Sequence, residues 1–152
     1  MIFREEHRDL FTVPEDYHLA HCISADFGMG AGIAVEFNKR FDMKNRLIDM
    51  FDGNVTHAWD ENGKDNEPQG ACFKVDRVLN LVTKRNYWLK PTYGTLTEAL
   101  MSMKEICIEH DITKIAMPVI GCGLDRLKWD RVSETIKEVF EDTDIEILVC
   151  VK

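Results

Sequence analysis

Apolar residues come in short runs along this chain, and their spacing alternates between two kinds. His18-Leu-Ala-His-Cys-Ile23, Val78-Leu-Asn-Leu-Val82, Lys114-Ile-Ala-Met-Pro-Val-Ile120 and Asp144-Ile-Glu-Ile-Leu-Val-Cys150 are dense apolar stretches of strand length. Between them Ile33, Phe37 and Phe41 recur at helical spacing, and residues 44–51 read as a second short helix. Leu96, Leu100, Met103 and Cys107 form a third helical stripe, and Val132, Ile136, Val139 and Phe140 a fourth. Pro91 and Thr92 open the third helix, and Thr95 and Glu98 have the spacing of a capping box. The polar stretch Asp60 to Gly70, with Asn62-Gly63 and Pro68, predicts a loop. Its flanks, Thr56-His-Ala-Trp59 and Ala71-Cys-Phe-Lys-Val75, are expected to pair as a hairpin. Strands alternating with helices predict an α/β layered fold.

Length and composition narrow this further. The 152 residues form no repeat, low-complexity tract or internal boundary, which predicts one domain over 1–152. An apolar fraction of 45% is that of a globular protein. The formal net charge is −8, and no run of lysines or arginines stands out, which argues against an extended duplex-binding surface. An acidic chain that bound an anion would have to do so with local amide dipoles. The first residues, Met1-Ile-Phe-Arg-Glu-Glu-His-Arg-Asp, are charged and have no apolar run behind them, so they do not read as a secretory signal. No apolar stretch approaches membrane-spanning length, which predicts no membrane-spanning segment. The five cysteines (22, 72, 107, 122 and 150) are scattered and contain no CxxC pair. They read as reduced thiols of a cytoplasmic protein (nuclear as well if eukaryotic) and predict no metal site.

Two glycine-rich segments follow predicted strands. Gly28-Met-Gly-Ala-Gly-Ile-Ala34 runs directly into a helix, so its amides and those of the helix N-terminus point the same way. It lacks the third glycine of a dinucleotide fingerprint and the Gly-Lys-Ser/Thr of a P-loop. Alone it fits a phosphate cradle and a plain strand-to-helix turn equally. The second segment, Gly121-Cys-Gly-Leu-Asp125, follows the strand that carries Pro118. In layered α/β folds ligands gather at the carboxyl ends of strands, and two such exits favour a cradle.

Lys84 follows the apolar run Val78–Val82, and Asp125 closes the second glycine segment. A lysine amine at a strand end can act as a nucleophile toward a sugar carbon, with a carboxylate to move its proton. Each also has a plain reading, as a solvated lysine and a surface turn residue. Arg85 either raises the reactivity of its neighbour by like-charge repulsion or points away. His21 and His57 read more readily as structural histidines than as bases. Trp88 and Tyr93 flank the loop after Lys84, with stacking on a base, core packing and plain exposure all open.

Asp9-Leu-Phe11, His21-Cys-Ile-Ser24, Met29-Gly-Ala-Gly-Ile-Ala34, Thr83-Lys84, Lys90-Pro-Thr-Tyr93, Met117-Pro118, Ile120-Gly-Cys-Gly-Leu-Asp-Arg-Leu127 and Glu138-Val-Phe140 resemble the macrodomain family. Within it they are similar to the branch of terminal ADP-ribose glycohydrolases, and the similarity runs from about residue 8 onward. The resemblance implies a three-layer α/β/α sandwich with a mixed central sheet, and ADP-ribose as ligand. It implies that Lys84 is the nucleophile and Asp125 the acid/base, with no cofactor. Asp9 and Leu10 match positions that meet adenine. Met29, Gly30, Ala31, Gly32, Ile33 and Ala34 match the loop that cradles the distal phosphate and ribose. Val119, Ile120, Gly121, Cys122, Gly123 and Leu124 match the loop over the diphosphate and distal ribose. Ser24, Thr83 and Lys152 match further ligand contacts. One departure is Arg8, where the family usually has glycine.

The implied reaction removes ADP-ribose from glutamate or aspartate esters of ADP-ribosylated protein, and O-acyl-ADP-ribose could serve as well. A related branch removes ADP-ribose from ADP-ribosylated DNA bases, and a non-catalytic reader of ADP-ribose is a third reading. The expected assembly is a monomer.

Overall fold

The computed structural model describes residues 1–59 and 69–152. The expected turn at Asn62-Gly63 and Pro68 lies outside the described residues. Six strands form one sheet: β1 (Ile2–His7), β2 (His18–Ser24), β3 (Ala71–Val75), β4 (Val78–Lys84), β5 (Lys114–Met117) and β6 (Glu146–Val151). Their order is β1-β6-β5-β2-β4-β3, parallel throughout except for β3 against β4. Four α-helices flank it among the described residues: α1 (Ile33–Phe41), α2 (Met43–Phe51), α3 (Tyr93–Glu109) and α4 (Trp129–Phe140).

Alternation along the strands assigns the two faces. Leu19, Ile23, Val78, Val82 and Leu148 pack with Phe37 of α1 and Met43 and Leu47 of α2. Ala20, Leu79, Leu81, Ile115 and Ile147 pack with Leu96, Leu100 and Met103 of α3 and Val132, Ile136 and Phe140 of α4. The result is an α/β/α sandwich around a mixed sheet, as the resemblance implied. Both faces of the central strands are covered, which is why they read as continuous apolar runs.

The expected hairpin is wrong in its partner. Residues Thr56–Ala58 form a 3-10 turn, and Ala71–Val75 pairs instead with β4 through a two-residue turn, with Asp76 at φ 51°. Local bonding decides this. The Asn54 carboxamide accepts from both the backbone N–H and the hydroxyl of Thr56, and a side-chain partner this close competes with a strand ladder. The capping box of α3 lies one turn earlier than expected. Thr92 is the N-cap, its Oγ1 accepting from Thr95 N–H at 3.0 Å, and Thr92 N–H donates to Thr95 Oγ1 at 3.0 Å. Strand β5 stops at Met117 because Pro118 has no N–H to give the ladder. Strand β1 has no apolar run to announce it. As an edge strand, paired among the described residues with β6 alone, it keeps its charged residues in water.

Five strands run parallel, so the loops after β1, β2, β4, β5 and β6 gather along one edge of the sheet. The chemistry-bearing residues lie at those strand ends and in those loops.

Candidate active site

Lys84 is the last residue of β4, and Asp125 stands in the loop that follows β5. The ammonium donates to Asp125 Oδ1 at 2.7 Å, and the two side chains are only 15% and 16% exposed. A register shift in β2 at Ile23/Ser24 brings Ser24 opposite Lys84. Asp125 is held by a loop that closes on itself. Arg126 N–H donates to the carbonyls of Cys122 and Gly123, and Leu127 N–H to that of Gly121 at 2.7 Å. Gly121 has φ 72°, and a Cβ there would stand 3.1 Å from the Leu127 side chain, so both conformation and space call for glycine.

A cleft of about 620 Å³ opens over this pair. Gly28 and residues 30–34 line it from the α1 side, and residues 118–125 from the β5 side. Cys22 and Ile23 of β2 also line it, as do Ser24, Lys84, Tyr87, Trp88 and Lys90. The N-terminus of α1 faces it, and the first amides of a helix have no partner within the helix. This is the local amide field that a chain of net charge −8 needs in order to hold an anion. Burial pushes the Cys22 thiol up to about 12, and the charge of Asp125 adds to the effect, so Cys22 is a neutral lining group and not a competing nucleophile.

The cleft brings together most of the positions read from the sequence: Ser24, Gly30, Ala31, Gly32, Ile33, Ala34, Lys84 and every residue from Val119 to Asp125. Five stand outside its lining. Leu10, Met29 and Thr83 are buried, with exposures of 4%, 5% and 1%. Asp9 caps the 3-10 turn Leu10–Thr12, its Oδ1 accepting from Phe11 N–H at 2.9 Å. Lys152 lies beyond the end of β6, its Nζ 3.8 Å from Asp9 Oδ2, farther along the same sheet edge. Arg8 turns back to Thr12, donating to its carbonyl at 2.8 Å.

One organising residue escaped the sequence reading. The carboxylate of Asp26 accepts from the Ser24 hydroxyl, from Gly28 N–H at 3.1 Å and from Tyr87 N–H at 3.1 Å. Burial pushes this carboxyl upward, but hydrogen bonds from Ser24, Gly28, Tyr87 and Asn86 outweigh it and hold Asp26 below the ordinary carboxylate range. Asp26 thus ties the end of β2 and the first glycine loop to the segment after Lys84. An aspartate two residues before a glycine is a turn signal, and Asp26-Phe-Gly28 carries it. Tyr87 was missed as well. Tyr93 is accounted for structurally, with its hydroxyl accepting from Lys128 N–H and its ring under Arg131.

The Macro domain family model matches residues 55–136. The chain is 45% identical over 143 residues to ADP-ribose glycohydrolase OARD1 of Homo sapiens, covering 93% of this chain and 86% of that protein. The chain belongs to the macrodomain family. Solved macrodomains share its fold at lower identity. The macrodomain of Thermus aquaticus DarG superposes with a TM-score of 0.75 at 20% identity, covering 98% of this chain and 97% of that one. Thermosipho africanus DarTG in complex with ADP-ribose gives 0.75 at 17% identity, over 99% of this chain and 42% of that one. In this macrodomain the glycine loop, the helix N-terminus and the Lys84–Asp125 pair converge on one cleft.

Proposed function

We propose that this macrodomain is an ADP-ribose glycohydrolase that releases ADP-ribose from glutamate and aspartate esters of ADP-ribosylated proteins. The observation that carries the reading is the largely buried Lys84–Asp125 pair inside a cleft lined by two glycine loops. Kinship with OARD1 supports the reaction class.

The chemistry follows from the 2.7 Å contact. Asp125 takes a proton from the Lys84 ammonium and frees the nitrogen lone pair. That lone pair attacks the anomeric carbon of the distal ribose. The bond from this carbon to the ester oxygen breaks, and the acceptor carboxylate leaves with the electron pair. A carboxylate is a good leaving group, so little acid assistance is needed. Asp125 passes the proton it took to the departing carboxylate and, ionised again, removes one from water, whose oxygen attacks the same carbon. The carbon–nitrogen bond breaks, and Lys84 recovers its electrons and a proton. A pure reader needs neither residue. Residues 30–34 and 121–124 line the cleft, and in this reading their amides hold the diphosphate while this occurs.

The test compares release of ADP-ribose from a glutamate-ADP-ribosylated protein and from an ADP-ribosylated DNA oligonucleotide, with Lys84→Ala as control. Lysine-dependent release, faster from the protein, is expected. Faster release from the oligonucleotide would replace the substrate class, and binding without release from either would make the chain a reader.

A further inference from the structure

The segment after Lys84 presents large apolar side chains to water at the mouth of the cleft. Tyr87 and Trp88 are each 63% exposed and meet edge to face, with ring centroids 5.1 Å apart and planes at 88°. Across the cleft Leu124 is 64% exposed. Exposed aromatics on a loop normally carry a large ordering cost on binding, but this loop is already fixed. Tyr87 N–H is held by Asp26, Leu89 N–H by the Asn86 carbonyl at 3.0 Å, and the Lys90 ammonium by the Leu124 carbonyl at 2.6 Å. Gly28 completes the seat, since a Cβ there would stand 3.1 Å from Tyr87 Cβ and Cδ1. The apolar rim is pre-organised, and it spans the two loops that carry Lys84 and Asp125.

Charge separates this rim from the rest of the surface. Segments 84–93 and 121–131 carry six cations, Lys84, Arg85, Lys90, Arg126, Lys128 and Arg131, against the carboxylates of Asp125 and Asp130. The whole chain has 27 acidic residues to 19 basic ones. Of these cations Lys84, paired with Asp125, and Lys90 line the cleft beside Tyr87, Trp88 and Leu124, where the bond to the acceptor is cut in the proposed reaction.

We propose that Tyr87, Trp88 and Leu124 form an acceptor-recognition rim for an acidic peptide segment with an apolar side chain beside the modified carboxylate. The inference rests on the hydrolase reading above and extends it beyond the ADP-ribose moiety. Two features favour a peptide over a nucleic acid. Rings at 88° with an aliphatic residue opposite make a notch for a side chain, not a flat plate for successive bases. The −8 charge of the chain repels a long polyanion, whereas a short acidic segment is confined to the mouth of the cleft, where Lys90 stands. Tyrosine, tryptophan and arginine are also the residues that most often anchor peptide and protein contacts.

The experiment measures kcat/KM for four substrates: a glutamate-ADP-ribosylated acidic peptide with a flanking leucine, the same peptide with glycine in its place, a small O-acyl-ADP-ribose, and an ADP-ribosylated DNA oligonucleotide. Each is assayed with the unaltered protein and with Trp88→Ala, Tyr87→Ala and Leu124→Ala, three surface substitutions that leave the core intact. The leucine peptide is expected to be preferred over the glycine peptide, and Trp88→Ala to lower the ratio of leucine-peptide to small-ester turnover about tenfold. A ratio unmoved in all three variants would overturn the rim. A fall in the oligonucleotide-to-ester ratio with the peptide ratio intact would overturn the peptide and make the rim a nucleic-acid platform. No release from any substrate by the unaltered protein would instead overturn the hydrolase reading beneath it.

Discussion

Asn80 and Lys84 lie on the same strand, and each closes a 2.7 Å contact with a residue from another element. Their surroundings make the two pairs opposites. Asn80 meets His21 of β2 in the core, where both are fully buried and the imidazole stacks on Phe37 with centroids 3.8 Å apart. The Asn80 carboxamide donates to the Phe73 carbonyl at 3.1 Å, so its oxygen accepts from His21 Nε2–H. Burial holds His21 at about 4, against the smaller upward pull of the Asn80 hydrogen bond, so the pair is neutral at pH 7. Lys84 and Asp125 are charged, partly exposed and open to a cleft. A closed neutral pair pins α1 and two strands together. An open charged pair can exchange a proton with a substrate. Depth along a single strand separates architecture from chemistry.

The sharpest way to break this contrast is at its open end. Lys84→Ala is expected to reduce ADP-ribose release by roughly 10³-fold or more, about 4 kcal/mol of transition-state stabilisation. ADP-ribose affinity measured by calorimetry should stay within about threefold, since backbone amides hold the diphosphate. Retained turnover would remove the covalent step.

The closed pair should respond in stability and not in chemistry. His21→Leu leaves the Asn80 oxygen buried without a donor and is expected to destabilise the fold by about 3 kcal/mol in urea titrations. Replacing both His21 and Asn80 by leucine should recover part of that loss, because no polar atom of the pair is then stranded. Equal losses in the single and double variants would show that the stacking on Phe37, and not the hydrogen bond, is what matters. Activity per folded molecule should change little in either.

Acid supplies a third comparison. The folded-state pKa of His21 lies below its ordinary 6.5, so between pH 6.5 and about 4 the unfolded chain binds the extra proton and the folded one does not. Stability from this group is therefore complete above pH 6.5 and falls with acidification, by about 2 kcal/mol at pH 4.5. The same titration on His21→Leu should lack that decline, and a slope that survives the substitution would assign it to another group.

The smallest effect is expected at Asp26, which links the end of β2 and the glycine loop to the Tyr87 segment without facing the reacting carbon. Asp26→Ala should raise KM about tenfold with little change in kcat, as loosened positioning does. A matching fall in kcat would mean that Asp26 also governs the placement of Lys84.

Much of this could be read in advance, and the gaps have physical causes. Strands β2, β4 and β6 and helices α1 to α4 were legible because each has a covered face, and covered faces leave apolar periodicity. Strand β1 was not, because an edge strand of Arg4, Glu5 and Glu6 has little apolar signal to give. The sequence points to Thr56–Trp59 as the hairpin partner because a two-residue turn at Asp76-Arg77 offers no glycine to mark it. Asp26 is legible only as a turn residue, because the rest of its meaning lies in Tyr87 N–H, 61 residues away.

The sequence alone determined the layered α/β class, the two glycine-rich strand exits and the identities of the amine and carboxylate, since these depend on local composition and periodicity. Tertiary structure alone decided that Lys84 and Asp125 touch across 41 residues, that Asp26 draws three segments together, and that Tyr87 and Trp88 face water beside the cleft. The reason is the order of the strands. A parallel sheet in which β2 separates β4 from β5 brings distant loops to one edge, and no spacing within the chain encodes which side chains meet there.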